Sequence, residues 1–105
     1  AKFMHEKNIG SLLVKENDEY IGIVTETDLT RKVLGGGLDP KTIKVTAVMT
    51  AQPIITLDCH QPLTEANAFM AKKKVRHLPI TENGKIVGMI SVKDLVAFFA
   101  NPRLR

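Results

Sequence analysis

The hydrophobic and polar positions in the second half of the chain predict a strand and then a helix. After Pro53, the β-branched stretch Ile54, Ile55 and Thr56 predicts a short strand. Pro62 then opens a segment whose apolar residues recur at roughly helical spacing, namely Leu63, Ala66, Phe69, Met70 and Val75. This part of the chain therefore predicts a strand followed by an amphipathic helix.

The next segment predicts a hairpin and a second helix. Two β-prone runs, residues 78–80 and 86–90, flank the pair Asn83-Gly84. An Asn-Gly pair in this position favours a type I′ turn, because both central residues of that turn need a positive φ. A helix is predicted from about Val92 to Ala100, ending before Pro102. The complete unit is predicted to be β-α-β-β-α.

The same passage occurs twice in the chain, 66 residues apart and without a gap. Residues 3–29 align with residues 69–95, and chance would match about two of these positions. Nine of the 27 positions are identical: Phe3/Phe69, Met4/Met70, Lys7/Lys73, Leu12/Leu78, Glu16/Glu82, Asn17/Asn83, Gly22/Gly88, Asp28/Asp94 and Leu29/Leu95. The first copy is thus expected to repeat the hairpin, around Asn17-Asp18, and a closing helix over residues 26–34.

The repeat predicts an α/β (α+β) fold made of two β-α-β-β-α units packed about a pseudo-two-fold axis. The expected division is a first repeat at 1–38, a linker at 39–47 and a second repeat at 48–105. Since Ala1 aligns with Asn67, the first repeat is expected to lack its opening strand and the start of its first helix. With 105 residues and 44% hydrophobic content, the two repeats are expected to share one modest core, with a cleft between them.

Composition and residue spacing give no indication of several kinds of site. Cys59 is the only cysteine, and the three histidines lack metal-ligand spacing, so neither a disulfide nor a metal site is predicted. Cys59-His60 resembles a nucleophile beside a base, but adjacent side chains are expected to point apart, so no catalytic residue is predicted. The absence of a long apolar run and of a signal segment predicts a cytoplasmic protein without membrane contact.

The two hairpins end in the same arrangement of a hydroxyl residue and an aspartate three positions later. The pairs are Thr25/Asp28 and Ser91/Asp94. This spacing is a capping box, which needs no ligand. It recurs at equivalent positions, however, and a helix N-terminus with free N–H groups and a hydroxyl suits a phosphate, while a nearby carboxylate suits ribose hydroxyls. The pattern therefore indicates a nucleotide site as the alternative to simple capping.

The chain resembles a known family, the cystathionine-β-synthase-type (CBS) domains. The resemblance rests on the order β-α-β-β-α, on Val48-Met49-Thr50, on the segment from Arg76 to Ile80, and on the Gly-x-x-Ser/Thr-x-x-Asp endings. It covers about residues 2–100 and makes the tandem similar to a CBS pair, or Bateman module. It implies a regulatory module and not an enzyme, without an obligatory cofactor, that binds AMP, ADP, ATP or S-adenosylmethionine and controls a fused or separate effector protein.

Matching positions of the family imply the ligand contacts. The aspartates would hold ribose, the hydroxyl residues would meet the phosphate or the ribose edge, and the strand before the helix would border adenine together with main-chain groups of the middle strand. These residues are Thr25, Asp28, Ile54, Ile55, Thr56, His77, Leu78, Pro79, Ser91 and Asp94. The adenine strand of the first site would lie before Ala1, so only the second site is expected to have its full set of contacts.

Charge distinguishes the two expected sites. Val92 and Lys93 come after Ser91, whereas Glu26 and Thr27 come after Thr25, with Arg31 one turn further on. A cation strengthens phosphate binding and a carboxylate weakens it, so the Asp94 site is expected to take the more phosphorylated ligand. Arg76 adjoins the ligand strand and is a further candidate for the phosphate. In the alternative interpretation, Lys93 and Glu26 simply point to solvent.

Two further patterns define the competing functions. The cluster Lys72, Lys73 and Lys74 indicates either nucleic-acid binding or cations placed against the negative end of a helix dipole. The stripe Leu95, Val96, Phe98 and Phe99 indicates either core packing or an apolar face that a second copy covers in a homodimer. The alternatives to nucleotide sensing are therefore a structural dimerisation module with empty clefts and, with less support, a nucleic-acid-binding module.

Overall fold

The computed structural model describes residues 1–51 and 54–101 and divides the chain into two compact units, Ala1–Ile54 and Ile55–Arg105. Each unit is mixed α+β, with helices and one three-stranded sheet. Pro53 precedes the strand predicted from the sequence, and Pro102 follows the last predicted helix. Both prolines lie outside the described residues.

The first unit is built around one hairpin. Its elements are α1 (Lys2–Lys7), β1 (Ser11–Glu16), β2 (Glu19–Thr25), α2 (Glu26–Asp28), a π-helical continuation (Leu29–Leu34), α3 (Val45–Val48) and β3 (Thr50–Ala51). The closing helix expected over residues 26–34 is present, but from Leu29 onward it is wound as a π-helix. The segment expected to be a linker contains the start of α3.

The second unit has the same hairpin between two longer helices. Its elements are β4 (Leu57–Asp58), α4 (Leu63–Lys73), β5 (His77–Glu82), β6 (Lys85–Ser91) and α5 (Val92–Ala100). The two helices and the hairpin agree with the prediction. Ala66 and Met70 are the buried residues of α4, and Leu95 is the buried residue of α5.

The duplication extends to the backbone conformation. Both hairpin turns have two consecutive residues with positive φ, and both α1 and α4 end in a left-handed residue. These positions are Asn8 (φ 55°), Asn17 (50°) and Asp18 (63°) in the first unit, and Lys74 (58°), Asn83 (52°) and Gly84 (78°) in the second. Each hairpin also shifts register at the same place, between Val14 and Lys15 and between Ile80 and Thr81.

The strand predicted at Ile54, Ile55 and Thr56 is wrong by position. These residues are not in a strand, and β4 instead comprises Leu57 and Asp58, paired in parallel with Ile80 and Thr81. A strand is defined by hydrogen bonds to its neighbour, which β-branched composition alone does not locate. Here the Cys59 N–H donates to the Thr81 carbonyl at 2.7 Å and pins the chain at that register.

The strand outside the hairpin pairs with a different hairpin strand in each unit: with the second hairpin strand in the first unit, and with the first hairpin strand in the second unit. In the first unit β3 pairs antiparallel with β2, through Gly22↔Ala51 and Ile23↔Thr50. In the second unit β4 pairs in parallel with β5. Residues 48–51, which the sequence assigns to the start of the second repeat, therefore hydrogen-bond and pack within the first compact unit, so the boundary between the units falls later than the boundary between the repeats.

The buried residues form two clusters, one in each unit, so the expectation of one shared core is wrong. The first cluster contains Met4, Val24, Val33 and Val48, and the second contains Ala66, Met70, Leu78 and Leu95. In each case the helices cover one face of their own hairpin, which is the usual way a small sheet buries its apolar side. Each strand-to-helix junction is thus supported by the core of its own unit.

Candidate functional site

The two strand-to-helix junctions have nearly the same geometry. Thr25 (φ −123°, ψ 167°) and Ser91 (φ −121°, ψ 163°) are extended N-cap residues, and the helix begins at the next residue. Each hydroxyl accepts a hydrogen bond from the N–H of the aspartate three residues later, at 3.3 Å from Asp28 and 3.1 Å from Asp94. Each aspartate accepts the N-cap N–H in return at 2.9 Å through Oδ2. Both predicted capping boxes are therefore formed.

Most of the N–H groups at the start of α5 already have partners. The Val92 N–H donates to the Arg76 carbonyl at 3.0 Å, and the Asp94 N–H donates to Ser91 Oγ. In the first unit, the Glu26 N–H donates in the same way to the Gly10 carbonyl at 3.1 Å. At each junction the capping box and the residue before the hairpin therefore satisfy two of the first three N–H groups, which leaves fewer free N–H groups for a phosphate.

The two aspartates differ in what holds their second oxygen. Asp28 is only 7% exposed, and its Oδ1 lies 3.0 Å from Lys32 Nζ. That ammonium group also donates to the Val48 carbonyl at 2.8 Å. Both oxygens of Asp28 are therefore engaged within the first unit, and its Oδ1 keeps at most one acceptor position for a ligand.

Asp94 keeps one oxygen available. Its side chain is exposed, and Oδ2 makes the bonds to the Ser91 N–H and hydroxyl. Among the described residues, no hydrogen bond or ion pair reaches its Oδ1. The second junction can thus accept two hydrogen bonds from a ligand without giving up its cap.

The sequence indicates this difference between Asp28 and Asp94 at a position outside the two aligned capping boxes. The residue one helical turn after the aspartate is Lys32 in the first copy and Phe98 in the second. A lysine at i+4 from an aspartate is placed to pair with it, whereas a phenylalanine leaves the carboxylate unpaired. The cation that distinguishes the two sites is therefore Lys32. The difference predicted from the sequence depends instead on Lys93 and Glu26, and both of these side chains are exposed.

Several other predicted site residues lie at the same end of the second sheet. His77 pairs with Ser91 across the hairpin, and Arg76 precedes His77 and binds the start of α5 through its carbonyl. Lys93 is in the first turn of α5. The second unit therefore brings Arg76, His77, Ser91, Lys93 and Asp94 to one edge.

Two predicted residues contribute no side chain to this edge. Leu78 is 0% exposed, and Leu78 and Pro79 are the largest fully buried side chains of the described chain. Both belong to β5, where they pair with Ile90 and Met89. The predicted main-chain role remains a prediction, and their side chains serve the core.

The segment predicted to border adenine, residues 54–56, lies just before β4 and not in a strand. Ile55 is 36% exposed, whereas Ile54 and Thr56 are half-buried. Because β4 runs parallel to β5, residues that precede Leu57 are directed toward the His77 end of β5. Thr56 and Ile55 thus approach the same end of the sheet, although Ile54 belongs to the first compact unit. Thr25 and Asp28 also lie in the first unit.

A depression of about 310 Å³ lies between the end of α4 and the start of α5. Lys74 and Arg76 supply its charge, and its other lining residues are Asn67, Met70, Ala71, Val75 and Val92. Lys72 and Lys73 stay in the last turn of α4, with Lys73 Nζ 5.8 Å from the centre of the Phe69 ring. This is the position at which cations stabilise a helix, as the capping interpretation of the lysine cluster predicts.

The turn after β4 holds a second group of polar side chains. Asp58, Cys59 and His60 present ligand-type atoms within 4.8 Å of one another. Hydrogen bonds from the His60 N–H and ring lower the pKa of Asp58, while desolvation and the bond to Glu82 raise the pKa of the Cys59 thiol. Cys59 Sγ is 3.5 Å from His60 Nδ1, so the expectation that these adjacent side chains point apart is wrong.

Comparison with known proteins identifies a family. The model of the CBS domain matches residues 1–35 and 45–101. The uncharacterized protein MK0525 of Methanopyrus kandleri is 40% identical over 95 residues, which are 89% of this chain and 48% of that protein. The chain therefore spans about half the length of this curated relative. Among the described residues, no helix has the length and apolar character needed to cross a bilayer.

Solved structures agree in fold. A signal-transduction protein with CBS domains from Burkholderia ambifaria, described as putative, has a TM-score of 0.88 and 38% identity, covering 96% of this chain and 74% of that one. The CBS domain pair of protein MJ0100, in complex with 5-methylthioadenosine and S-adenosyl-L-methionine, has a TM-score of 0.79 and covers 94% of this chain and 77% of that one. At 20% identity, this second likeness shows the fold alone.

Proposed function

The chain belongs to the CBS domain family, and we propose that it is a regulatory module that binds an adenosine-containing ligand at the Ser91–Asp94 junction. A module of this kind signals through the differential affinity of the ligand for two states of the protein. The free Oδ1 of Asp94 is the observation that carries the proposal, because it can accept hydrogen bonds from ribose hydroxyls while Oδ2 maintains the cap.

The charges around the junction support a phosphorylated ligand. Lys93 is in the first turn of α5, and Arg76 lies beside the junction, with Lys74 in the same depression. Cationic side chains near a helix N-terminus stabilise a phosphate through charge-assisted hydrogen bonds. We assign no ligand to Asp28, since Lys32 occupies its second oxygen. The effector protein, fused or separate, is part of the same proposal.

Ligand-dependent thermal stability tests this function. The protein is titrated with AMP, ADP, ATP, S-adenosylmethionine and NADH while its unfolding is followed. A ligand at 100 times its dissociation constant adds about 2.7 kcal/mol to the free energy of unfolding if it binds only the native state. The absence of a shift with every one of these compounds would contradict the proposal.

Two aspartate variants locate the site. Asp94→Ala is expected to abolish the ligand-dependent shift while the free protein stays folded, because Asp94 is exposed. Asp28→Asn, its matched control in the first repeat, is expected to lower the stability of the free protein and retain the shift, since it removes the charge of a buried carboxylate that pairs with Lys32. If Asp94→Ala unfolds the protein, or if Asp28→Asn alone abolishes the shift, the assignment to Ser91–Asp94 is wrong.

Dimerisation is the second candidate function, and the exposed apolar residues of α5 favour it. On α5, Val96 is 62% exposed and Phe99 is 41% exposed, while Leu95 is only 3% exposed. A helix with apolar residues on its outer face as well as its inner face usually has a partner. We propose that a second copy of the chain covers this face, with or without a nucleotide. The lysine cluster gives no comparable support to nucleic-acid binding, since its position at the helix end accounts for it.

A further inference from the structure

The turn after β4 brings together three side chains that are typical zinc ligands. Asp58, Cys59 and His60 are consecutive in the chain, and their ligand-type atoms all lie within 4.8 Å of one another. A thiolate, an imidazole and a carboxylate form a donor set that favours Zn²⁺ over Mg²⁺ and Ca²⁺, because those harder ions prefer oxygen ligands alone. The nucleotide-binding proposal makes no use of these residues.

Two of the three distances between ligand atoms are close to those around a tetrahedral ion. Cys59 Sγ lies 3.5 Å from His60 Nδ1, and His60 Nδ1 lies 3.0 Å from Asp58 Oδ1. With bonds of about 2.3 Å to sulfur and about 2.0 Å to nitrogen and oxygen, ligand atoms of a tetrahedral zinc are separated by roughly 3.3 to 3.6 Å. Two of the three separations are thus close to the required spacing, and the third, between the Cys59 thiol and the Asp58 carboxylate, is within 4.8 Å.

The backbone holds this turn in place. The Cys59 N–H donates to the Thr81 carbonyl at 2.7 Å, and the Gln61 N–H donates to the Asp58 carbonyl at 3.1 Å. The His60 N–H donates to Asp58 Oδ1 at 2.9 Å. Three ligands on a turn that is fixed before the metal arrives lose little conformational freedom on binding.

Charge and access also suit a divalent cation. The side chains of Asp58 and His60 are 48% and 79% exposed, and Cys59 is exposed as well, so an ion reaches them from solvent. The Glu82 carboxylate lies 3.6 Å from the thiol sulfur and adds negative charge beside the three ligands. A solvent molecule completes the fourth position of such an open site.

We propose that Asp58, Cys59 and His60 form a surface site for Zn²⁺, separate from the Ser91–Asp94 junction. The ion replaces the proton of the Cys59 thiol, which is released to solvent, and no other bond is broken. All three residues lie in the second compact unit.

Zinc binding to the reduced protein, measured by competition with a chromogenic chelator, tests the proposal. One Zn²⁺ per chain is expected to bind, and Cys59→Ser and His60→Ala are each expected to weaken binding at least tenfold. His5→Ala is the matched control and is expected to leave the affinity unchanged, because His5 lies on α1 in the first unit. All three side chains are exposed, so the variants are expected to keep the unfolding temperature of the parent protein.

A second measurement reads the site without any substitution. Cys59 is the only cysteine, so the rate of alkylation by iodoacetamide reports on this thiol alone. Saturating Zn²⁺ is expected to slow alkylation at least tenfold, while the same concentration of Mg²⁺ has no effect. The proposal is overturned if alkylation is unprotected, if Cys59→Ser or His60→Ala binds zinc as well as the parent, or if His5→Ala loses binding equally.

Discussion

Gly22 and Gly88 occupy equivalent positions in the two repeats but serve different purposes. A Cβ on Gly22 would lie 2.6 Å from Met49 Sδ and 2.8 Å from the Thr50 carbonyl oxygen. The same atom on Gly88 would meet nothing within 4 Å. The glycine of the first repeat is therefore required by the close approach of residues 49–50, which include the start of β3. That reason is absent in the second repeat, where β4 pairs on the other side of the hairpin.

This contrast predicts opposite responses to alanine. Gly22→Ala is expected to destabilise the protein by about 1–3 kcal/mol, because the backbone of Thr50 must move to admit the methyl group. Gly88→Ala is expected to be neutral or to stabilise by up to about 1 kcal/mol, since it only restricts the unfolded chain. Urea unfolding of the two variants beside the parent measures both effects, and equal losses would contradict the explanation.

At the scale of elements, the hairpins show how far local sequence rules reach. The Asn83-Gly84 pair predicts a turn with two positive φ values, and the structure has 52° and 78° there. The first hairpin uses Asn17 and Asp18 with 50° and 63°. Both hairpins were predictable because their turns depend on two adjacent residues. The strand before α4 was misplaced because its position depends on β5, which is far away in sequence.

Substitutions in the two hairpin turns are expected to change the free energy of unfolding in opposite directions. Asp18→Gly is expected to stabilise the first hairpin by roughly 1 kcal/mol, because it removes the steric penalty of a side chain in the left-handed region. Gly84→Ala introduces that penalty in the second hairpin and is expected to destabilise by about 1–2 kcal/mol. Thermal unfolding of the two single variants tests both signs. A stabilised Gly84→Ala would show that the turn relaxes to another type.

For the whole molecule, the apolar outer face of α5 predicts self-association. Val96→Asp is expected to shift the protein from dimer to monomer in light scattering at micromolar concentration, because it places a charge in the proposed interface. Val87→Asp is the matched control: Val87 is 61% exposed on β6 and is expected to leave the dimer intact. A parent protein that is monomeric at every concentration would contradict the dimer proposal and leave the nucleotide proposal standing.

The sequence by itself determined the repeat, the hairpins with their turns, the helices of the second unit and the two capping boxes. Each of these depends on residues that are adjacent or one helical turn apart, so local rules suffice. The tertiary structure decided how each third strand pairs, that each unit has its own core, and that Lys32 engages Asp28 while Asp94 keeps an oxygen free. It also decided that Asp58, Cys59 and His60 converge, because the backbone bond from Cys59 to Thr81 sets that turn. These features depend on contacts between distant residues, or on the way a turn is held, which the order of residue types does not record.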